Sequence, residues 1–585
     1  MNYYRYHSLS FLTFFAIILH SHQAHAQLTV SNIKPYQVIQ RDSTSLTATF
    51  TDSGTCRNGT AKIQLRLQNQ TDNSTVGSFS WKELSNLSVT GTRWKATIAE
   101  LPAGGEYKAQ FRALNNSGIA TDSSQVIQNL LVGDIWLCAG QSNMQGAPGA
   151  TVDAAHVHTR ILWSAYPGTS ETSSWGTIDT KGPSTSFANN LYALTKIPVG
   201  IIYAASGGTS LTDWFYAPGN NLFSSMSKFL KNGVAGWKIG GFLWYQGENE
   251  DQQDTWAQRY FVKFGRMRDS IRSLSNNKNL PVMVVQLESW DGIVQYPLDP
   301  YSRWIRWPVI RDQQELVGRA DPYSACAPIW TAPGIHIDAT GEALLGKYCA
   351  YTATRQFYGT ITADPGAGPL FKNAWFEDST RKSIVVQFEG VKGRLINPPD
   401  PGHLGFYVMK PSVFNINDST IFDYGTDSYG KPAKMLKAIS SIETSGTDKI
   451  IVRLAEAATD SVTIGYGRHI QLVSLSPLTD SSKIPVRTFF NRPINLKQPT
   501  SAAIAKVNTL QHNIALINGS VVHFDYHAGV VKPEIIVYRL DGKLLFHKRL
   551  TGNSIDLKSL HHNGMVLVKC KTGNNFVTMK AYIHK

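Results

Sequence analysis

Four short polar segments lie next to apolar or helical stretches in the middle of the chain. Residues 140–144 (Gly-Gln-Ser-Asn-Met) follow a first apolar run, 206–209 (Ser-Gly-Gly-Thr) a second and 246–249 (Gln-Gly-Glu-Asn) a third, while 334–336 (Gly-Ile-His) precede a helical stretch. In an open parallel α/β sheet, ligands bind outside the carboxyl ends of the strands. We therefore expect the four segments to converge on one edge of a sheet.

The residue types in these segments suit the hydrolysis of an ester. Ser142 offers a hydroxyl nucleophile, and His336 offers a base that can take its proton. The backbone N–H groups of Ser142 and Gly208, together with the side-chain amide of Gln246, offer donors for the oxyanion of a tetrahedral intermediate. All the parts of a serine hydrolase are therefore present.

The nucleophile and the base each have rivals in the chain. Ser206 lies in an Ala-x-Ser-x-Gly setting that loosely follows a nucleophile elbow, which makes it the second candidate nucleophile. The histidines of the central region are His156, His158 and His336, and only His336 lies in a glycine-containing loop before a terminal helix. Elimination therefore favours His336, while Ser142 is preferred to Ser206.

Metal and cofactor chemistry have no support in the sequence. The five cysteines are odd in number, lack the paired spacing of a zinc site and are scattered over the whole chain: Cys56, Cys138, Cys326, Cys349 and Cys570. We expect no cofactor, no metal and no disulfide framework, with most of the thiols buried as small apolar groups.

The pattern of apolar residues predicts an α/β core with all-β modules on either side. Apolar runs alternate with helical stretches between residues 131 and 358, which indicates a parallel sheet covered on both faces. Shorter alternating segments predict a β-sandwich module over 27–130 and a second β module over 359–494. Residues 495–505 are rich in Pro, Thr, Ser and Ala and predict a linker before a small β module at 506–585.

Three stretches of the core resemble the sialate O-acetylesterase family of SGNH hydrolases. They are 133–144 (GDIWLCAGQSNM), 207–209 (GGT) and 244–248 (WYQGE). The resemblance implies a flavodoxin-like three-layer core and the removal of acetyl groups from sugars without a cofactor. Acetyl esters of sialic acid and acetylated xylan or another plant polysaccharide are both open as substrates.

Several polar and aromatic residues beside the same strand ends are candidates for contact with the sugar. The polar candidates are Gln141, Asn143 and Glu248. An aromatic ring can cover the apolar face of a pyranose, which makes Trp214 a candidate together with Trp244, Tyr245 and Trp290. Core packing is the alternative for the aromatic residues.

The chain departs from the resemblance at one position. The family usually has an aspartate three residues before its histidine, and this chain has Pro333 there. Such a carboxylate holds the imidazole in the correct tautomer, and its loss from an established triad costs about 10⁴ in rate. Asp338, Glu248 or a backbone carbonyl could replace it. A non-catalytic glycan-binding relative is the other interpretation.

The two ends of the chain predict export. Residues 1–26 have basic, apolar and Ala-x-Ala segments like a cleavable signal, with a membrane anchor as the alternative. The tail contains 536–538 (IVY), 540–545 (LDGKLL), 557–560 (LKSL) and 564–568 (GMVLV) and with them resembles a type IX secretion sorting domain, an ordinary β module being the alternative. The resemblance implies the secretion machinery as a partner and a secreted or cell-surface location. The tail after residue 500 carries 11 Lys and Arg against 4 Asp and Glu, half of the net charge of +14. Because this excess of positive charge is concentrated in the tail, we expect no nucleic-acid partner. We also expect no membrane-spanning segment after signal cleavage.

Overall fold

The computed structural model describes most of the chain between residues 28 and 498, and separate strands beyond it. The described ranges are 28–43, 45–146, 156–163, 175–177, 182–218, 221–233, 238–253, 256–257, 259–288, 300–331, 335–359, 364, 366–397, 405–409, 439–458, 462–467, 477–498, 516–518, 521–523, 534–539, 544–549, 554–556, 564–572 and 575–583. The predicted signal, most of the predicted linker and Pro333 lie outside these ranges.

The N-terminal part is a β-sandwich of nine strands. They are β1 (Val38–Gln40), β2 (Thr47–Thr55), β3 (Lys62–Asn69), β4 (Lys82–Glu83), β5 (Ser85–Thr90), β6 (Arg93–Pro102), β7 (Gly104–Leu114), β8 (Ala120–Ser123) and β9 (Ile127–Gly140). β2, β5 and β6 form one sheet, and the other strands join a sheet that contains β9. Alternating residues such as Ile63, Leu65 and Leu67 of β3 fill the space between the two sheets.

The described residues of the central part form six further strands and six helices. The strands are β10 (Thr159–Trp163), β11 (Trp175–Thr177), β12 (Val199–Ala205), β13 (Gly241–Tyr245), β14 (Val282–Val285) and β15 (Ser324–Ala327). The helices are α1 (Ser142–Gln145), α2 (Pro183–Thr195), α3 (Leu222–Gly233), α4 (Tyr260–Leu274), α5 (Pro300–Gly318) and α6 (Ala339–Phe357). A π-helical turn (Thr212–Tyr216) and a 3₁₀ turn (Glu248–Gln252) complete the loops after β12 and β13.

The strand order confirms the predicted flavodoxin-like α/β core. The sheet runs β11-β10-β12-β9-β13-β14-β15, and only the edge pair β10–β11 is antiparallel in this path. Five parallel neighbours, β12-β9-β13-β14-β15, therefore follow the doubly wound order. In this order the chain first builds the sheet on one side of β9 and then on the other. This change of direction opens a crevice at the carboxyl end of β9.

Helices cover both faces of the parallel sheet, which gives the predicted three layers. Trp136 of β9 packs against Phe187 of α2 and Phe357 of α6 on one face. Trp244 of β13 packs on the opposite face, where Phe264 of α4 lies against it. The paired residue of Trp136 is Gly241, and a Cβ there would come within 2.6 Å of the indole ring.

Strand β9 belongs to both the sandwich and the α/β core. Its first half pairs with β1 and β7, and its second half pairs with β12 and β13. The boundary predicted at residues 130/131 falls inside this continuous strand. The two units therefore share a backbone element as well as packed side chains.

The remaining described strands form antiparallel sheets. The second β module contains β16 (Leu370–Phe376), β17 (Ser383–Glu389), β18 (Leu395–Ile396), β19 (Phe406–Met409), β20 (Ile439–Ser445), β21 (Lys449–Leu454), β22 (Thr463–Tyr466), β23 (Thr479–Asp480) and β24 (Phe489–Pro493). The tail contains β25 (Leu516–Asn518), β26 (Val521–His523), β27 (Glu534–Arg539), β28 (Leu544–Arg549), β29 (Ser554–Asp556), β30 (Gly564–Thr572) and β31 (Asn575–Ile583). Among the helices in the described ranges, none is long and apolar enough to cross a membrane.

A buried carboxylate joins the sandwich to the core. Asp134 of β9 lies 2.9 Å from the guanidinium of Arg41, and it also accepts hydrogen bonds from Gln40 at 3.0 Å and from the Tyr358 hydroxyl at 2.8 Å. The side chains of Asp134 and Arg41 are only 4% and 5% exposed. Because a buried charge is costly without its partner, this contact is a strong constraint on the junction.

Asp134→Asn should destabilise the protein by about 3–5 kcal/mol, because it leaves the Arg41 charge buried without a counter-charge. The measurement is the free energy of unfolding from the urea transition of the core. Glu83→Gln is the matched control, since the Lys62–Glu83 pair is 50% exposed on both sides and should contribute about 0–1 kcal/mol. Equal losses in the two variants would contradict the proposed importance of the junction.

Candidate active site

Ser142 lies at the carboxyl end of β9, as the first residue of the short helix α1. The preceding Gly140 has a φ of +147°, and a Cβ on it would lie 1.9 Å from the carbonyl oxygen of Tyr245 in β13. Only glycine lets the two strands approach this closely while the chain turns toward Ser142. The N–H groups of Met144 and Gln145 bond back to the carbonyl of Gln141, so the helix start leaves the Ser142 N–H without a helical acceptor.

His336 meets the Ser142 hydroxyl directly. Its Nε2 lies 3.0 Å from Ser142 Oγ, which is hydrogen-bond distance for a base and its nucleophile. Within the described residues, no acceptor meets the other ring nitrogen, Nδ1. Asp338 is used elsewhere, because its carboxylate caps helix α6 by accepting from the Gly341 N–H at 2.7 Å.

The glycine pair after β12 packs against Ser142. A Cβ on Gly207 would lie 3.7 Å from the Cβ of Ser142, and the Gly207 N–H donates to Oε1 of Gln145 at 3.0 Å. Gly208 is exposed and has a φ of +70°, a conformation that favours glycine. The structure thus brings the predicted donor residue Gly208 to the same edge as Ser142 and His336.

Gln246 lies beneath this edge and is fully buried. Its Nε2 donates to the carbonyl of Thr209 at 3.2 Å and to Oε1 of Glu250 at 3.3 Å. Both amide hydrogens are therefore occupied within the protein. The placement of Gln246 in an oxyanion hole stays a prediction, and it would require the amide to leave these two acceptors.

The three polar residues predicted to contact a sugar are buried and bonded to one another. Glu248, Asn143 and Gln141 are 4%, 3% and 3% exposed. Oε1 of Glu248 accepts from Asn143 Nδ2 at 2.6 Å. Oε2 lies 3.0 Å from the Gln141 amide, whose nitrogen is assigned to this side because only that orientation satisfies its hydrogen bonds. Their polar groups therefore bond to one another within the site, and their contact with a sugar stays a prediction. Burial raises the pKa of Glu248 to about 7.

The aromatic residues near the site are also part of the core. Trp214 is 2% exposed, stacks edge-on against Trp244 at 5.1 Å and donates from Nε1 to the Thr209 hydroxyl at 2.9 Å. Trp244 and Tyr245 are wholly buried. In this structure the ring of Trp214 is packed within the core, and its contact with a sugar stays a prediction. Trp290 lies outside the described residues.

The rival histidines lie at the other edge of the sheet, whereas Ser206 directly follows β12 at the same edge as Ser142. Ser206 is buried, with its N–H donating to the carbonyl of Gly140 at 2.9 Å. His156 and His158 precede β10 at the amino ends of the strands, and His158 stacks on Tyr192 with ring centroids 4.8 Å apart. They are therefore on the opposite edge of the sheet from Ser142.

Two supporting residues were not anticipated from the sequence. Gln145 accepts from Gly207, and Glu250 accepts from the Leu211 N–H at 2.7 Å as well as from Gln246. Each directly follows one of the segments 140–144 and 246–249, so its position in the chain was the only available signal. Groups of three or more His, Cys, Asp or Glu that could hold a metal ion are not found among the described residues.

Comparison with known proteins agrees with this geometry. Residues 132–355 match the family model described as "Carbohydrate esterase, sialic acid-specific acetylesterase". The comparisons support the carbohydrate esterase family. A probable carbohydrate esterase from Arabidopsis thaliana is 26% identical over 201 residues, which cover 30% of this chain and 76% of that protein.

A solved structure resembles more of the chain than the esterase core alone. The crystal structure of a carbohydrate acetylesterase from Xanthomonas citri aligns with a TM-score of 0.53 and 22% identity, covering 78% of this chain and 97% of that one. At this identity the likeness shows the fold. The α/β core and β strands beside it thus share the fold of a known protein.

Gly140→Ala should lower the melting temperature by about 4–12 °C, because the new Cβ would overlap the Tyr245 carbonyl and force β9 and β13 apart. Thermal unfolding followed by circular dichroism is the measurement. Gly176→Ala is the control, since a Cβ at Gly176 meets no atom within 4 Å. If Gly140→Ala melted with the wild type, the close strand approach would not be limiting.

Proposed function

We propose that this protein is a secreted carbohydrate O-acetylesterase that hydrolyses acetyl esters on sialic acid or related sugars. The observation that carries the proposal is the 3.0 Å contact between Ser142 Oγ and His336 Nε2 at the carboxyl edge of the sheet. The match of residues 132–355 to a carbohydrate esterase family supports the reaction class. The identity of the sugar rests on the description of that family.

The proposed reaction proceeds through an acyl-enzyme. His336 Nε2 takes the proton of Ser142 as the hydroxyl oxygen attacks the acetyl carbonyl carbon. The tetrahedral intermediate collapses, the bond to the sugar oxygen breaks, and the imidazolium returns the proton to that oxygen. Water then attacks the acetyl-serine with the same base, which releases acetate and restores both residues.

Backbone donors are the simplest source of oxyanion stabilisation. The Ser142 N–H lacks a helical acceptor, and Gly208 is exposed at the same edge of the sheet. Each donor aimed at the oxyanion is worth about 10²–10³ in rate. Gln246 adds a third donor in this proposal only if it moves from Thr209 and Glu250.

A non-catalytic glycan-binding protein is the second candidate function, and Pro333 favours it. The usual aspartate is absent, and Asp338 and Glu248 bond to other groups in the described residues. We nevertheless favour the esterase, because a base within reach of the nucleophile and the donors around it retain most of the catalytic parts. Acetylated xylan or another plant polysaccharide remains the alternative substrate for the same chemistry.

Export is part of the proposal on sequence grounds alone. Residues 1–26 resemble a cleavable signal, and the tail from residue 506 resembles a type IX secretion sorting domain. We propose the secretion machinery as a partner and a secreted or cell-surface location for the enzyme.

Ser142→Ala and His336→Ala should each abolish or strongly reduce hydrolysis of 4-nitrophenyl acetate, whereas Ser206→Ala should retain most of it. The reason is that Ser142 and His336 form the proposed nucleophile–base pair. The measurement is kcat/KM, followed by acetate release from O-acetylated sialic acid and acetylated xylo-oligosaccharides. Wild-type binding of these sugars without turnover would favour the non-catalytic alternative, and equal loss in both serine variants would reject Ser142.

Hydrolysis should be unchanged after dialysis against EDTA, because the proposed mechanism uses only side chains and backbone donors. Initial rates before and after chelation, and after addition of Zn²⁺ or Ca²⁺, measure this. Activity that disappears with EDTA and returns with one metal would show that a metal takes part.

A further inference from the structure

The carboxylate of Glu248 holds both chain neighbours of Ser142. Glu248 begins the turn that follows β13, and its side chain is shielded from water. One oxygen accepts from Asn143 Nδ2 at 2.6 Å, and the other lies 3.0 Å from the amide nitrogen of Gln141. A single buried carboxyl group therefore bonds to the residues immediately before and after the proposed nucleophile.

The Asn143 side chain carries this contact across to the histidine. Its Nδ2 also donates to the carbonyl of Ile335 at 2.9 Å, and its Oδ1 accepts from the N–H of Ile337 at 3.1 Å. These two backbone groups lie on either side of His336. The amide of Asn143 thus fixes the backbone from which the imidazole projects, although it does not touch the ring.

The Gln141 side chain carries the contact to the third part of the site. Its amide nitrogen lies 3.1 Å from the carbonyl of Thr209, which follows Gly207 and Gly208. The loop that presents the proposed oxyanion donor is therefore attached to the same carboxylate. Nucleophile, base and donor loop all depend on one buried group.

We propose that Glu248 is a positioning residue, which holds Ser142 and His336 in register through Asn143 and Gln141. In this role it replaces the missing orienting carboxylate by fixing the backbone around His336 rather than by bonding to its Nδ1. The inference rests on the proposed esterase function and names how this chain compensates for Pro333.

The chemistry of the network explains why an amide cannot replace this carboxylate. In Glu248→Gln one acceptor oxygen becomes an NH₂ group that faces another N–H donor. Asn143 cannot turn its amide without losing both Ile335 and Ile337, and Gln141 cannot turn without losing Thr209. At least one arm of the network is therefore broken in the variant.

The experiment compares Glu248→Gln, Asn143→Ala and the double variant with the wild type on 4-nitrophenyl acetate. Glu248→Gln should lower kcat about 10- to 100-fold with KM changed less than about twofold, because misplacement of the pair by a fraction of an ångström affects the reaction more than binding. Asn143→Ala should lose at least as much. The double variant should be little worse than Asn143→Ala, since both changes remove the same link.

Glu315→Gln is the matched control for the loss of a buried carboxylate. Glu315 bonds to Arg319 at 2.7 Å and to Arg487 at 3.1 Å, on helix α5 and outside the network around Ser142. This variant should have a lower melting temperature and an unchanged kcat. If Glu248 only stabilised the fold, Glu248→Gln would likewise lower the melting temperature and leave kcat unchanged. If Glu248 positions the site, Glu248→Gln lowers kcat in folded protein.

An unchanged kcat in folded Glu248→Gln would overturn the inference. If that variant does not fold, an unchanged kcat in Asn143→Ala would do the same. In both cases, turnover by the wild type would leave the esterase proposal standing. A full multiplicative loss in the double variant would also overturn it, because the two residues would then act independently. Absence of any wild-type turnover would reject the esterase function and this inference together.

Discussion

The hydrogen bonding of strand β9 is the constraint on which the rest of the molecule depends. Its 14 residues must satisfy partners in both the sandwich and the α/β core, and they are buried over most of their length. A parallel strand with neighbours on both sides cannot shift its register without breaking two ladders. Ser142 lies two residues after this strand, so the hydrogen bonds of β9 to its neighbours fix where Ser142 lies.

The second layer of constraint is electrostatic. Asp134 near the middle of β9 neutralises Arg41 of the sandwich, and Glu248 after β13 collects the amides of Gln141 and Asn143. A buried carboxylate is tolerated only when hydrogen-bond donors replace its water. Each of these groups therefore favours one arrangement of its surroundings, the first at the domain junction and the second around the nucleophile.

The same reasoning applies to the proposed site, in which no acceptor among the described residues meets Nδ1 of His336. A carboxylate on Nδ1 fixes the ring directly, whereas two backbone contacts to Asn143 fix the residue that carries it. The second arrangement constrains position more than tautomer. Through Asn143, the position of the backbone around His336 therefore depends on Glu248, which follows β13, the neighbour of β9 in the sheet.

Local sequence determined the α/β core and the edge at which the site lies, because continuous apolar strands and glycine-rich turns have strong local signals. It did not reveal β15, whose Ser-Ala-Cys-Ala sequence has no strand preference, or α5, which contains Pro308. Packing in the sheet and along the helix decided those elements. Residue type also identified Ser142, Gly208 and His336 as candidate site residues. Only the tertiary structure decided that Glu248, Asn143 and Gln141 face inward, because their hydrogen-bond partners lie in segments about 60 to 190 residues apart.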